Sequence, residues 1–496
     1  MHNEKTTPRA RLTGKWLGAL AGGMVVAVAA GLLAAAAPFT ANAAASQAPA
    51  ACVTMPEPGT APPPEPGEPQ PTTVTTLEQA YWCILTNYYS GPVLDNRELL
   101  VAAFRAFTLE LQRRGLDQPI AITPAFTGDR AKDWTAFGDK YSEVLATLPD
   151  DATLRQDLAI TTLKGMLDSL HDDHAHLSNM FAPTGPGPGK AWGLGVHTQP
   201  VGPGGEPSPE KAAPLYLDFI FPGSPAEAAG LKVGDIIAKV NDVPPYVNGV
   251  LAPGVLAWLY AKYPSADKVR VTVQRPATGK TWTVNLTPAA FPWGVTPSAP
   301  AKLVGGGIAQ VELKGFFPGA ADQVKQAIEN LRKDARLRGI ILDLRGNGGG
   351  DPAEVTKLLS NFIHDAVWGS FCDVRGNCTP NRTDTTTPLL NLPLVVLTDR
   401  NCASACDAFS NAVKDFKLGP LVGTRTAGIV SGPAGAFLLN DNTTLLNMPK
   451  LHGLGPNGEV ISGIGVPPDY FAPMTAADLS NRRDPGVAKA LELLKH

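Results

Sequence analysis

The sequence predicts an α/β chain, in which a core of alternating strands and helices follows a helical module and a β-rich insert. Three observations carry this. From Gly305 onward, short apolar runs alternate with helical patterns: strands at 308–312, 339–345 and 394–397, and helices at 320–332 and from about 351 to 364. Between 76 and 170 the apolar spacing is helical throughout, with Leu77, Ala80, Tyr81 and Ile84 in one segment and Leu99, Ala103, Phe104 and Phe107 in the next. Further helical patterns run near 132–146 and 152–170. Residues 183–213 are dense in Pro and Gly and open a unit with alternating strands at 215–220 and 269–274.

The 496 residues exceed one ordinary core and imply several domains. The N-terminus carries Lys5, Arg9, Arg11 and Lys15 against Glu4, then an almost wholly apolar stretch from Trp16 to Phe39, then Ala41-Asn42-Ala43. Basic, then apolar, then small is the pattern of a cleavable secretory leader, expected over 1–45. A membrane association is expected only if that leader stays uncleaved, since an apolar run of about 20 residues could span a bilayer. Cleavage takes four basic residues and one acid, moving the formal charge from −3 to −6. With no basic cluster left, nucleic acid is excluded as a partner. Export and an even set of six cysteines predict disulfides, without choosing the pairs.

The expected organisation continues with a Pro-rich linker over 46–75 and the helical module over 76–182. The insert follows over 183–292, the α/β core over 300–475, and a C-terminal helix over 476–496.

Polar residues concentrate in three places. Leu170-His171-Asp172-Asp173-His174-Ala175-His176 holds three of the eight histidines. The spacing of His171 and His174 is not the i,i+4 pair of a zinc-protease helix, so no metal is expected and a catalytic base is the better use. Gly346-Asn347-Gly348-Gly349-Gly350 joins a strand to a helix. It lacks the residues of a P-loop or a dinucleotide fingerprint, so no cofactor is expected, and bare backbone N–H groups suit an oxyanion hole. In Asn401-Cys402-Ala403-Ser404-Ala405-Cys406-Asp407, Ser404 stands where a strand turns into a helix. Such a serine is either a helix N-cap or a nucleophile poised at the positive helix end.

Residues of about 190–290 resemble a PDZ domain. Gly193-Leu194-Gly195-Val196, the Ser224-Pro225-Ala226 helix start and Gly234-Asp235-Ile236-Ile237 occur in its order. The resemblance implies capture of an extended chain, typically a C-terminus, by strand addition, with the backbone of Gly193, Leu194 and Gly195 binding the carboxylate.

Taken together, L-H-D-D-H, the insert, D-L-R-G-N-G-G-G, C-A-S-A-C-D, G-T-R-T-A-G and G-I-G-V-P-P-D look like the C-terminal processing peptidases and their tricorn-core relatives, across roughly 150–475. The resemblance implies a crotonase-like catalytic core and a serine peptidase acting on polypeptides, with their C-termini as one route of capture. It places the nucleophile on Ser404 and the oxyanion donors on Ala405 and on Gly348 or Gly349. One branch of the family uses a lysine where this chain has Ile429. The tricorn-like branch uses a histidine that falls on His174, and imidazole is chemically suited to the task. That branch also has a glutamate where Ser462 stands here, so Asp173 and Ser462 are the expected orienting groups, with Glu459 as a further option. The same scaffold could instead bind peptides without cleaving them, a reading that Ile429 and Ser462 motivate.

Overall fold

The computed structural model describes residues 51–56, 67–181, 185–187, 189–199, 214–292, 299–432 and 434–495. The expected leader lies outside these residues, as does the middle of the expected linker.

The core sheet has six strands in the order Ala301–Val304, Ile308–Glu312, Gly339–Asp343, Leu394–Thr398, Leu421–Gly423 and Tyr470–Phe471. The first pair is antiparallel and every later pair is parallel. Gly339–Asp343 and Leu394–Thr398 are buried at every position, which explains why they read as continuous apolar runs rather than alternating ones. Their side chains nonetheless alternate between two cores. Ile340, Leu342 and Val396 pack with Val324, Leu358 and Phe409 of the helices Ala320–Asp334, Pro352–Ser360 and Ala405–Asp415. Ile341, Val395 and Leu397 pack with Ala490 and Leu494 at the C-terminus.

The helical module comprises Val74–Asn87, Asn96–Arg114, Arg130–Leu145 and Ala152–Asp168. Asp95, Asp129 and Asp151 each accept a backbone N–H at the start of the last three helices, which sets where each begins. Its core runs on into Phe437, Leu446 and Met448 of a four-stranded sheet, in which His176–Asn179 pairs antiparallel with Thr444–Pro449. The module is therefore docked on the C-terminal half of the chain rather than tethered to it.

Two boundaries are corrected. Val53–Thr54 pairs with Ala434–Leu438 and Cys52 is bonded to Cys83, so this part of the expected linker over 46–75 belongs to the folded body. The C-terminal segment forms two helices, Ala476–Ser480 and Pro485–Leu493, rather than one. The first lies against the insert, where the Tyr216 hydroxyl donates to the Met474 carbonyl at 2.8 Å. Asp484, before the second, accepts from Arg345 at 2.8 Å.

The insert builds its own core under a five-stranded sheet ordered Lys280–Leu286, Val269–Arg275, Ile236–Val240, Tyr216–Ile220 and Val196–Gln199. Among the described residues no helix is long and apolar enough to cross a membrane.

Helices Asn96–Arg114 and Ala152–Asp168 meet most closely at Gly165, where an added Cβ would stand 2.3 Å from the Ala106 Cβ and 3.0 Å from the Ala102 carbonyl oxygen. Alanine gains about 1 kcal/mol in helix propensity. Forcing apart two packed helices costs about 1–3 kcal/mol, so sterics prevail. Gly165→Ala is expected to lower the thermal midpoint, and a melt followed by circular dichroism would show it.

Candidate active site

The strand Leu394–Thr398 runs into the turn 399–404 and then the helix Ala405–Asp415. Asp399 orders the entry by accepting the N–H groups of Gly346 at 2.9 Å and Asn401 at 3.0 Å. Ser404 occupies the N-cap position with φ 56° and ψ −117°. An ordinary capping serine is extended, whereas a β-carbon-bearing residue at positive φ costs on the order of 1–3 kcal/mol and tends to mark a working site. The turn is pinned on several sides. Cys402 and Cys406 form a disulfide across Ser404, and the Ala403 N–H donates to the Asn347 carbonyl at 2.9 Å. Asp407 accepts the Ser404 N–H at 2.9 Å.

The glycine loop lies against this turn. Gly349 has φ 97°, and a Cβ there would meet the Ala403 carbonyl oxygen and the Ser404 Cβ, each at 2.6 Å. Only a residue without a side chain permits that approach. Gly349's own N–H is committed, however, donating to the Asn347 side chain at 2.8 Å. This removes Gly349 from the expected donors. Among the described residues the N–H groups of Gly348 and Ala405 have no acceptor, and they are the pair free to face an oxyanion.

His174 reaches this region by strand pairing. His176 lies opposite Asn447, which fixes the segment before it on the core. The His174 Nδ1 is in close hydrogen-bond contact with Ser431 Oγ, and Ser431 donates to Asp172 Oδ1 at 3.1 Å. This order assigns the Nδ1–H tautomer and leaves Nε2 with its lone pair. Asp172 also accepts the His174 backbone N–H at 3.0 Å and the Tyr88 hydroxyl at 3.0 Å. Burial pushes the Asp172 carboxyl up, but hydrogen bonds from His174 and Tyr88 outweigh it and hold the group below the usual carboxylate range. Ser431 lines the same cleft as Ser404 and Ala405, walled by Phe371, Val430 and Leu454.

The carboxylate in the His174 network is Asp172 rather than the expected Asp173, which is exposed. Neither Asp173 nor Ser462 hydrogen-bonds the His174 ring. Glu459 is taken up by a carboxylate pair: it bonds Asn411 and shares its surroundings with Asp415, whose carboxyl is pushed up to about 6 by burial and by Glu459. Among the described residues no three His, Cys, Asp or Glu side chains converge to hold an ion.

In the insert, Gly193 and Gly195 take φ 135° and 73°, the conformations the loop demands. The strand Val196–Gln199 is an edge among the described strands. Its Thr198 N–H is already used, donating to the Tyr260 hydroxyl at 3.1 Å. A peptide pairing at that position has to displace Tyr260.

Three participants escaped the sequence. Asp407 was detectable as the third residue of a capping-box spacing after Ser404. Asp172 and Asp173 differ only in which way a turn points them. Ser431 carries no local signal, because its partner lies 257 positions away.

Comparison with known proteins matches residues 307–471 to Peptidase family S41 and residues 221–247 to a PDZ domain. The carboxy-terminal processing protease CtpB of Bacillus subtilis is 24% identical over 345 residues, covering 67% of this chain and 68% of that protein. A probable CtpA-like serine protease of Staphylococcus aureus is 25% identical over 338 residues, covering 67% of this chain and 64% of that protein. The chain thus spans about two thirds of the length of these relatives. Among solved structures, the photosystem II D1 C-terminal processing protease aligns with a TM-score of 0.48 and 22% identity, covering 80% of this chain and 97% of that one.

Gly349→Ala is expected to reduce the rate at which a fluorophosphonate labels Ser404 by about 100-fold, because the new methyl displaces the turn. Intact-protein mass spectrometry over time measures it, and unchanged labelling would separate the glycine loop from the serine.

Proposed function

We propose that this chain, whose α/β core is a serine-type peptidase domain of family S41 carrying a PDZ domain ahead of it, is an exported peptidase that cleaves extended polypeptides through an acyl-enzyme. Ser404 Oγ attacks the scissile carbonyl carbon while Nε2 of His174 takes its proton. The tetrahedral oxyanion is held by the N–H groups of Ala405 and Gly348. The leaving amine then receives the proton from His174, and water repeats the sequence in reverse to release the acyl group. Ser431 and Asp172 hold the imidazole from its Nδ1 side and stabilise the imidazolium.

The observation that carries this reading is that Ser431, which bonds the His174 ring, lines the same cleft as Ser404. A nucleophile at positive φ, a base oriented by a carboxylate network and two unused N–H groups are what acyl transfer requires. The leader-like N-terminus and the three disulfides support export. The PDZ domain supports substrates delivered by their C-termini, as the names of the C-terminal processing relatives suggest.

Ser404→Ala should abolish both peptide cleavage and fluorophosphonate labelling. His174→Ala should lower kcat by about 10³–10⁴-fold. Asp172→Asn should lower it less, leaving KM within about 3-fold, since it acts on the base and not on the substrate. A peptide library read by mass spectrometry decides the matter. Saturable peptide binding without cleavage or labelling by the native chain would favour the binding-only reading that Ile429 and Ser462 motivate.

A further inference from the structure

Asp407 is fully buried, yet the reaction outlined above does not use it. It stands one turn into the helix that Ser404 begins. One of its oxygens accepts the Gly428 N–H at 2.9 Å, and the other accepts those of Ser404 at 2.9 Å and Ile429 at 3.0 Å. The Thr426 hydroxyl lies close enough to favour the ionised form as well. One carboxylate therefore joins two segments that are otherwise distinct. The first is the strained nucleophile turn. The second is the loop 426–431, whose last residue, Ser431, holds the His174 ring.

We propose that Asp407 is a positioning residue that locks the nucleophile turn and the loop carrying the base's partner into one register. The inference rests on the Ser404–His174 peptidase reading and adds a group that reading lacks. The geometry supports it because the partners are backbone N–H groups rather than side chains. Amides of Ser404, Gly428 and Ile429 cannot swing away to other acceptors, so removing the carboxylate strands three donors in the interior. An ionised carboxylate accepts from all of them, whereas a protonated one brings an O–H that none of these N–H groups can accept.

Burial pushes the Asp407 carboxyl up to about 6, against the opposing pull of Thr426, Gly428, Ile429 and Ser404. The three N–H groups bonded to it are neutral. The other titrating or charged groups on the elements around it are His174 and Asp172 beyond Ser431, Arg425 beside Thr426, Lys414 and Asp415 on its own helix, and Asp399 and Arg400 in the turn. The lock is therefore complete above about pH 6 and fails as the pH falls through that value. The Asp407 carboxyl therefore adds one protonation to the acid limb that the reaction's own base gives.

The test compares wild type and Asp407→Asn in the full chain, by peptide cleavage and by fluorophosphonate labelling from pH 4.5 to 8. For the variant, kcat should fall about 100-fold at pH 7.5 with KM within about 3-fold. The slope of log kcat/KM on the acid side should drop from about two toward about one. A variant that matches wild type within about 3-fold in kcat and keeps its slope overturns the role of Asp407 and leaves the peptidase reading intact. A wild type that neither cleaves nor labels overturns the peptidase reading itself. If Asp407→Asn does not fold, the wild-type labelling profile decides: a limb with a slope of about two supports the lock, and about one overturns it.

Discussion

The backbone of Ser404 sits in a conformation that a free serine abandons, and much of the core can be understood as what keeps it there. The left-handed φ of 56° costs on the order of 1–3 kcal/mol and needs several independent restraints. A fully buried parallel strand anchors the N-terminal side, and a helix packed through Phe409 and Val413 anchors the other. Between them a disulfide spans the turn, Asn347 holds Ala403, and Gly349 fills the space beneath with bare backbone. Each restraint is modest, but they act on five consecutive residues. Relaxing the serine would require breaking several at once. A hydroxyl aimed by fixed backbone needs little reorganisation when it reacts, which is the physical advantage of storing strain there.

The peptidase reading also needs an imidazole from a different part of the chain, and His174 comes to Ser431, which lines the cleft that Ser404 lines. No local feature of the His171–His176 stretch does this. The work is done by the pairing of His176 with Asn447 and by the shared core of the helical module with Phe437, Leu446 and Met448. The helical module thus contributes to function by docking. It also supplies Tyr88, which helps hold Asp172 ionised. On the peptidase reading the ring becomes cationic, and a carboxylate held below its usual range lowers the energy of that imidazolium through the Ser431 hydroxyl, across the 3.7 Å between Nδ1 and Asp172.

This division explains which parts of the fold and site were legible in the sequence. Gly339–Asp343 and Leu394–Thr398 were readable because strands covered on both faces leave an apolar run that few other structures produce. The helices of the module were readable from period alone, and Ser404 from its place between strand and helix. What depended on the direction of a side chain or an amide was not readable. Asp172 and Asp173 are adjacent and chemically equal, and only the turn selects one. Gly348 and Gly349 are likewise adjacent, and only the Asn347 side chain, which caps the second, leaves the first free. Val53 and Cys52 looked like linker because Pro-rich surroundings concealed a two-residue strand and a disulfide.

Stability and function pull in opposite directions at Asp407. An acid whose carboxyl is pushed up by folding binds its proton more tightly in the folded state than in the unfolded one. Folding is therefore favoured at low pH, and stability is lost as the pH rises from about 4, the unfolded value, to about 6. A shift of that size corresponds to about 3 kcal/mol that the folded state gives up at neutral pH. Yet the ionised form is the one able to accept from Ser404, Gly428 and Ile429 together. An asparagine at this position would remove the desolvation penalty but satisfy fewer of the three amides, so stability alone does not dictate the charge. The arrangement makes sense if the amides must be held in one register for the serine and the imidazole to meet, so that the less stable protonation state is the working one.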